Sequence, residues 1–172
     1  MRDCAHIAGS LHMTIHMEVL IENLKALGSD LRWWSGNILS THDHTVAEIV
    51  HGESDSVFTW KGGGLDECWE CTLNDLIWTE DSGKGHIPDL IVDDGVNMTL
   101  LIHDGNNAED LFPKYGTLPD PRSTDNAEFN ILKNIIKHQL EGGEMDKWKN
   151  ISNTCMRVSD KTSAGVHYMN TM

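Results

Sequence analysis

His6-Ile7-Ala8-Gly9-Ser10-Leu11 is short, apolar and built of small residues, and it runs directly into Met13, Met17, Leu20, Ile21, Leu24 and Leu27 at mostly three- and four-residue steps. The first stretch reads as a buried strand, since a continuous apolar run suits a strand covered on both faces. The second reads as an amphipathic helix, since a period near 3.6 leaves one apolar stripe. Gly28 closes that helix as a C-cap. A strand that feeds a helix at this spacing is the first half of a parallel crossover unit.

The rest of the chain repeats the alternation. Leu31-Arg32-Trp33-Trp34 is a second strand, and Thr41 or Asp43 would cap a helix running through Ile49. Ser56-Val57-Phe58-Thr59-Trp60 is a third strand, and Gly62-Gly63-Gly64 a loop. Asp66 to Trp78 reads as a helix with Trp69, Leu73, Leu76 and Ile77 inward. Pro88 introduces a fourth strand, Leu90-Ile91-Val92, which ends in Asp93-Asp94-Gly95. A short helix over Met98 to His103 is predicted next, then a polar surface excursion from Asp104 to Arg122. Asp125 with Glu128 gives a capping-box-like start to a helix from about Ala127 to Leu140, with Phe129, Leu132, Ile135 and Ile136 inward and Gly142-Gly143 after it. Met145 to Ile151 adds a turn or two of helix, and Cys155-Met156-Arg157-Val158 a last strand. Strands and helices alternating at these lengths predict an α/β fold, a three-layer parallel sheet with helices on both faces and right-handed crossovers.

Composition bounds the function. The chain has 172 residues, enough for one well-cored domain. Its 13 Lys and Arg against 27 Asp and Glu give a formal charge of −14, which disfavours both a nucleic-acid surface and attraction to anionic lipid. A 39% hydrophobic share with six Trp argues against a disordered acidic tail. The four Cys are too sparse for a disulfide scaffold, which favours a reducing compartment. No signal-peptide pattern opens the chain, and no run approaches the ~18 apolar residues of a membrane span, so the expected location is the cytoplasm.

In open parallel sheets ligands bind beyond the carboxyl ends of the strands. Four places qualify: Leu11-His12-Met13-Thr14, Ser35-Gly36-Asn37 with Ser40-Thr41, Asp93-Asp94-Gly95, and Ser159-Asp160-Lys161-Thr162. Each also has a purely structural reading. Thr14, Thr41 and Asp94 are good helix caps, and Gly95 a good turn residue. Other motifs carry less. Cys68-Trp69-Glu70-Cys71 has the C-x-x-C spacing but no second ligand pair, and it falls inside a helix instead of at its start. His12 and His16 lie four apart but lack the intervening Glu of the zinc-protease pattern, and His42-Asp43-His44 reads as a solvated helix start. Gly62-Gly63-Gly64 has no Lys-Ser/Thr after it, and Gly9 and Gly28 form no G-x-G-x-x-G fingerprint. No metal site is expected.

The strand-end residues resemble one known family. Gly9-Ser10-Leu11-His12-Met13-Thr14, Val19-Leu20-Ile21-Glu22, Asn37-Ile38, Asp43-His44 and Trp60-Lys61-Gly62 carry the resemblance in the first half. Pro88 through Gly95, Leu100-Leu101-Ile102-His103, Pro119-Asp120-Pro121, Ser123 through Phe129, and Val158-Ser159 with Thr162, Gly165-Val166 and Met169 carry it in the second. The chain is identified by these as resembling adenosylhomocysteinases. The resemblance implies a Rossmann-like substrate-binding domain, of which residues 1–172 would form the N-terminal part, with 104–150 as an insertion-type excursion. The NAD-binding domain of the family is expected to be absent.

The resemblance further implies the reversible hydrolysis of S-adenosyl-L-homocysteine to adenosine and homocysteine, with NAD as cofactor. His12 and Asp94 would be catalytic, in acid–base work at the leaving group. Thr14, His16, Asp94, Lys161 and Thr162 would bind substrate, and Thr162, Ser163 and Ala164 would approach the cofactor. Lys161 stands where the family has Glu, which reverses a charge and removes an acceptor, and His16 stands where it has Glu or Gln. The expectation is a chain that does not turn over alone. The alternatives are a non-catalytic adenosine-binding module, or a fragment that associates with itself or with full-length family subunits.

Overall fold

The computed structural model describes residues 4–36, 56–57, 62–79, 85–95 and 97–161. The helix expected through Ile49, most of the third strand, and Thr162, Ser163 and Ala164 lie outside these residues. Two compact units emerge, one of residues 1–98 with 155–172 and one of 99–154.

The first unit is built on a parallel sheet. Strand β1 is His6–Ser10, β2 Asp30–Trp34, β3 Ser56–Val57, β6 Leu90–Asp93 and β7 Arg157–Asp160, and among the described residues they lie in the order β3-β2-β1-β6-β7. Every neighbouring pair is parallel, with Ile7 opposite Leu31 on one side and Leu90 on the other. Two further strands, β4 (Trp78–Thr79) and β5 (Gly85–His86), pair antiparallel as a separate ribbon. Strand β1 is central because Ile7 to Ser10 bury both their faces, and only a strand covered on both sides accepts such a run. Gly9 has a specific reason to lack a side chain. Trp33 is its register partner, and a Cβ on Gly9 would fall inside the Trp33 indole, which is fully buried.

Alternation along the strands assigns the faces. Ile7, Leu31, Trp33, Leu90 and Val92 share one face with Leu11 and Met13, and helix α1 (Ile15–Ala26) packs Met17, Leu20, Ile21 and Leu24 onto it. Arg32 lies on the other, where helix α2 (Leu65–Leu76) sits. Arg32 donates to the carbonyls of Asn74 and Ile77 at 2.7 and 2.9 Å, so a cation meets the carboxyl end of the α2 dipole. With helices on both faces of an all-parallel sheet, the α/β three-layer expectation holds.

Local boundaries differ from the sequence reading for identifiable reasons. Thr14 precedes α1, but its side chain makes no capping bond, and its carbonyl accepts from Met17 and Glu18 instead. Trp78 is not the end of α2: Ile77 turns extended, and Trp78 enters β4 while its Nε1 donates to the Asp75 carbonyl at 2.7 Å. Strand β7 starts two residues later than expected, since Met156 N donates to the Asp89 carbonyl and ladder pairing begins only at Arg157.

The second unit is helical. Helix α3 runs Asn97–Tyr115, entering this unit at Thr99, and so absorbs the first part of the expected Asp104–Arg122 excursion. Gly105 is helical, and Trp148 packs onto it so closely that a Cβ there would enter the indole. Helix α4 (Ala127–Glu141) is capped by Asn126, not by Asp125: Asn126 Oδ1 accepts from Glu128 N at 2.8 Å and Phe129 N at 3.4 Å. Its buried stripe is Leu132, Ile136 and Leu140. Helix α5 is Lys147–Thr154, with Trp148 and Ile151 buried. Glu109 of α3, 4% exposed, reaches across to its start, where its two oxygens accept from Trp148 N at 3.0 Å and Lys149 N at 2.9 Å.

Candidate functional site

Strand order reverses direction between β1 and β6, the switch point at which the turns following the two strands diverge and leave a crevice. The turn after β1 carries His12, and the turn after β6 carries Asp94. His12 Nε2 lies 3.5 Å from Asp94 Oδ2, with the His12 side chain 39% exposed and that of Asp94 11% exposed. A carboxylate held against one ring nitrogen orients the imidazole, while the half-exposed ring stays accessible to a ligand. Such a pair can take up and return a proton.

Asp93 anchors this corner. It is fully buried, its Oδ1 accepts from Asp94 N at 3.0 Å, and its carbonyl accepts from Lys161 N at 3.1 Å. The ladder places Asp160 directly opposite Asp93, so the turn after β7 is stitched to the turn after β6. The backbone of Lys161 is thereby fixed at this end of the sheet, with its side chain exposed. Thr14 is half-buried just before α1, and His16 is exposed in the first turn of that helix. His12 belongs to the turn and not to the helix, so His12 and His16 do not share a helix face.

Three polar groups at this sheet end are buried: Ser10, as the reading of its strand implies, and Ser35 and Asp93, which the sequence reading placed at strand ends without placing them inside. Ser10 is the last residue of β1 and fully buried, with no hydrogen-bond partner for its Oγ among the described residues. Gly36 approaches it in the left-handed region, at φ +63°, where a Cβ would stand 3.1 Å from both Ser10 oxygens. Ser35 and Asp93 are buried as well. The available signal for Ser10 was its place at the end of an apolar strand.

Asp75, on α2, is also fully buried. Burial pushes its carboxyl well above the ordinary value, against the opposing pull of the Arg32 guanidinium and the Gly9 amide. The neighbouring Cys71 thiol is pushed up to about 11, chiefly by burial and then by Cys68 and nearby acids. It is therefore protonated at neutral pH and is neither a nucleophile nor a soft metal ligand there. Among the described residues no three His, Cys, Asp or Glu side chains group to hold a metal ion. No helix among them is long and apolar enough to cross a membrane.

The turn after β1 is not a dinucleotide cradle: such a cradle needs glycines that let backbone approach the phosphates. Here the turn is Leu11-His12-Met13-Thr14, with Leu11 and Met13 buried in the core shared with Ile7, Leu31 and Trp33.

The S-adenosyl-L-homocysteine hydrolase family model matches residues 2–172. An adenosylhomocysteinase from Triticum aestivum is 49% identical over 162 residues, which is 94% of this chain and 32% of the relative. One from Solanum lycopersicum is 49% identical over the same shares. The chain thus spans about a third of the length of the curated relatives it matches. A match that runs from the strand before His12 to the turn after β7 takes in every element of the switch-point corner, and the chain belongs to the S-adenosyl-L-homocysteine hydrolase family.

Proposed function

We propose that this chain carries the leaving-group side of an S-adenosyl-L-homocysteine hydrolase site. The observation that supports the reading best is the His12–Asp94 pair at 3.5 Å across the switch point of the sheet. In this reading the 5′ side of the nucleoside enters the crevice between the two turns. His12, held in orientation by Asp94, moves the proton at the homocysteine sulfur, and Thr14 contacts the adenosine. His16 and Lys161 face the adenine edge and the ribose hydroxyls. A cationic Lys161 there donates where the ribose hydroxyls would otherwise meet an acceptor, which weakens the grip on the sugar. Thr162, Ser163 and Ala164 would approach NAD, the family's cofactor.

The turn after β1 is no dinucleotide cradle, so no redox step is assigned to these residues; with Lys161 where the family has Glu, the chain by itself is proposed not to turn over. The whole reaction, its cofactor and any assembly with further copies or with full-length family subunits in the cytoplasm belong to the same proposal. The test is thiol release from S-adenosyl-L-homocysteine by the purified chain with NAD. No homocysteine is expected, and turnover at an ordinary enzymatic rate would overturn the assignment of inactivity.

A second reading, a nucleoside-binding module, is favoured by the retained pair. Calorimetry with adenosine decides it: heat of binding that His12→Ala abolishes supports it, and no heat at millimolar ligand excludes it.

A further inference from the structure

We propose that the cavity within the helical unit is a binding site for a small apolar carboxylate. It has a volume of about 220 Å³ and lies between α3, the segment 117–119 and α4. Ala108 and Leu111 of α3, Leu118 and Pro119 of the segment, and Ile136 of α4 make its lining overwhelmingly apolar. That volume is several times the ~30 Å³ share of one water molecule, and it suits a ring or short alkyl body. Leu111 is 48% exposed although it lines the cavity, so the apolar surface continues outward to the mouth.

Charge complementarity selects the head group. Lys133 of α4 also lines the cavity, and its ammonium donates to the hydroxyl of Ser123, a neutral partner that in turn donates to the Asp120 carbonyl. The acid on the opposite wall, Asp104, has the His103 ring at 3.7 Å from its Oδ1. Asn107, between them, contacts the same ring at 3.3 Å. The cationic group with a neutral neighbour is therefore Lys133, and a ligand carboxylate placed beside it gains a charge-assisted hydrogen bond next to an apolar floor. A ligand amine would instead be drawn to Asp104, which also lines the cavity, so the amine arm of the experiment separates the two head groups. This site uses no residue of the His12–Asp94 corner, so it stands or falls independently of the hydrolase reading.

The experiment is calorimetry of the full chain with hydrocinnamate, hydrocinnamyl alcohol and phenylpropylamine, which share one apolar body. Hydrocinnamate is expected to bind with one site per chain and to be the tightest of the three. Lys133→Met should weaken hydrocinnamate about tenfold and leave the alcohol unchanged. Ala108→Phe, which fills the cavity, should abolish binding of both. Methyl NMR of the unaltered chain provides a readout that needs no variant: the resonances of Ala108, Leu118 and Ile136 should shift on titration. The proposal is overturned if the amine or alcohol binds as tightly as the carboxylate. It is equally overturned if Lys133→Met leaves hydrocinnamate affinity unchanged, or if those methyl resonances stay still at saturating hydrocinnamate.

Discussion

The indole of Trp33 occupies the space that a side chain on Gly9 would take, and the two residues are direct register partners in the central pair of the sheet. Trp33 is fully buried and flanked by Ile7, Leu31 and the α1 stripe, so it has nowhere to move. Gly9→Ala should therefore act as an overpacking mutation and cost about 1–3 kcal/mol. Urea unfolding should show a lower midpoint with an unchanged slope. A companion Trp33→Leu change, which makes room for the new methyl, should recover part of the loss.

The Asp75 carboxyl should make stability depend on pH. Its folded-state value lies well above the ordinary 3.8, because burial disfavours the charged form. The folded chain thus holds this proton more tightly than the unfolded chain does. Stability contributed by Asp75 is complete below the ordinary value and declines as pH rises above it. Asp75→Asn should raise the thermal midpoint at neutral pH. Its advantage over the unaltered chain should shrink steadily as pH falls toward 4, as followed by circular dichroism melts across that range.

Glu109 should prove important to the helical unit. Both its oxygens accept backbone N–H groups at the start of α5, satisfying two donors that a helix N-terminus leaves without intrahelical partners. Glu109→Gln keeps the shape but removes the charge and one acceptor, and should cost about 1–2 kcal/mol. Amide hydrogen exchange should speed up at Trp148 and Lys149 before it does so in α4.

Two substitutions test the corner between β1 and β6 in a working enzyme. In a chimera where this chain replaces the matching third of the wheat adenosylhomocysteinase, Lys161→Glu should raise kcat/KM about tenfold or more by restoring an acceptor. His12→Ala in the Lys161→Glu chimera should then lower kcat about 100- to 10,000-fold, the range for loss of a positioned acid–base group. Equal activities for the first pair would remove Lys161 from the site.

The fold was legible where pattern and packing agree. His6–Leu11 and Leu90–Val92 are apolar runs because both their faces are covered, and the α1 stripe keeps its period because one face meets the sheet. The reading failed where a distant residue decides a local one. Trp148 packs onto the helical Gly105, and the indole of Trp78 is held by the Asp75 carbonyl after the chain has left α2. At the candidate site, His12 and Asp94 were readable because both follow strands, and strand ends are where such sheets bind ligands. Resemblance added the acid–base roles expected of them. The burial of Asp93 was not readable, since polar residues at strand ends are solvent-facing as often as they are covered.

Strand β1 has its neighbours at very different distances along the chain. Ile7 pairs with Leu31 after one helix, but with Leu90 only 83 residues later. Loops of that length close slowly, and sheets made of such pairings fold slowly for that reason. On a ribosome adding about 5–20 residues per second, β1 is exposed for several seconds with one edge unpaired before β6 emerges. His12 and Asp94 become neighbours in that same closing event. The assembly of the corner is therefore a late step of folding, and a chaperone that shields an open strand edge would raise the yield of native protein.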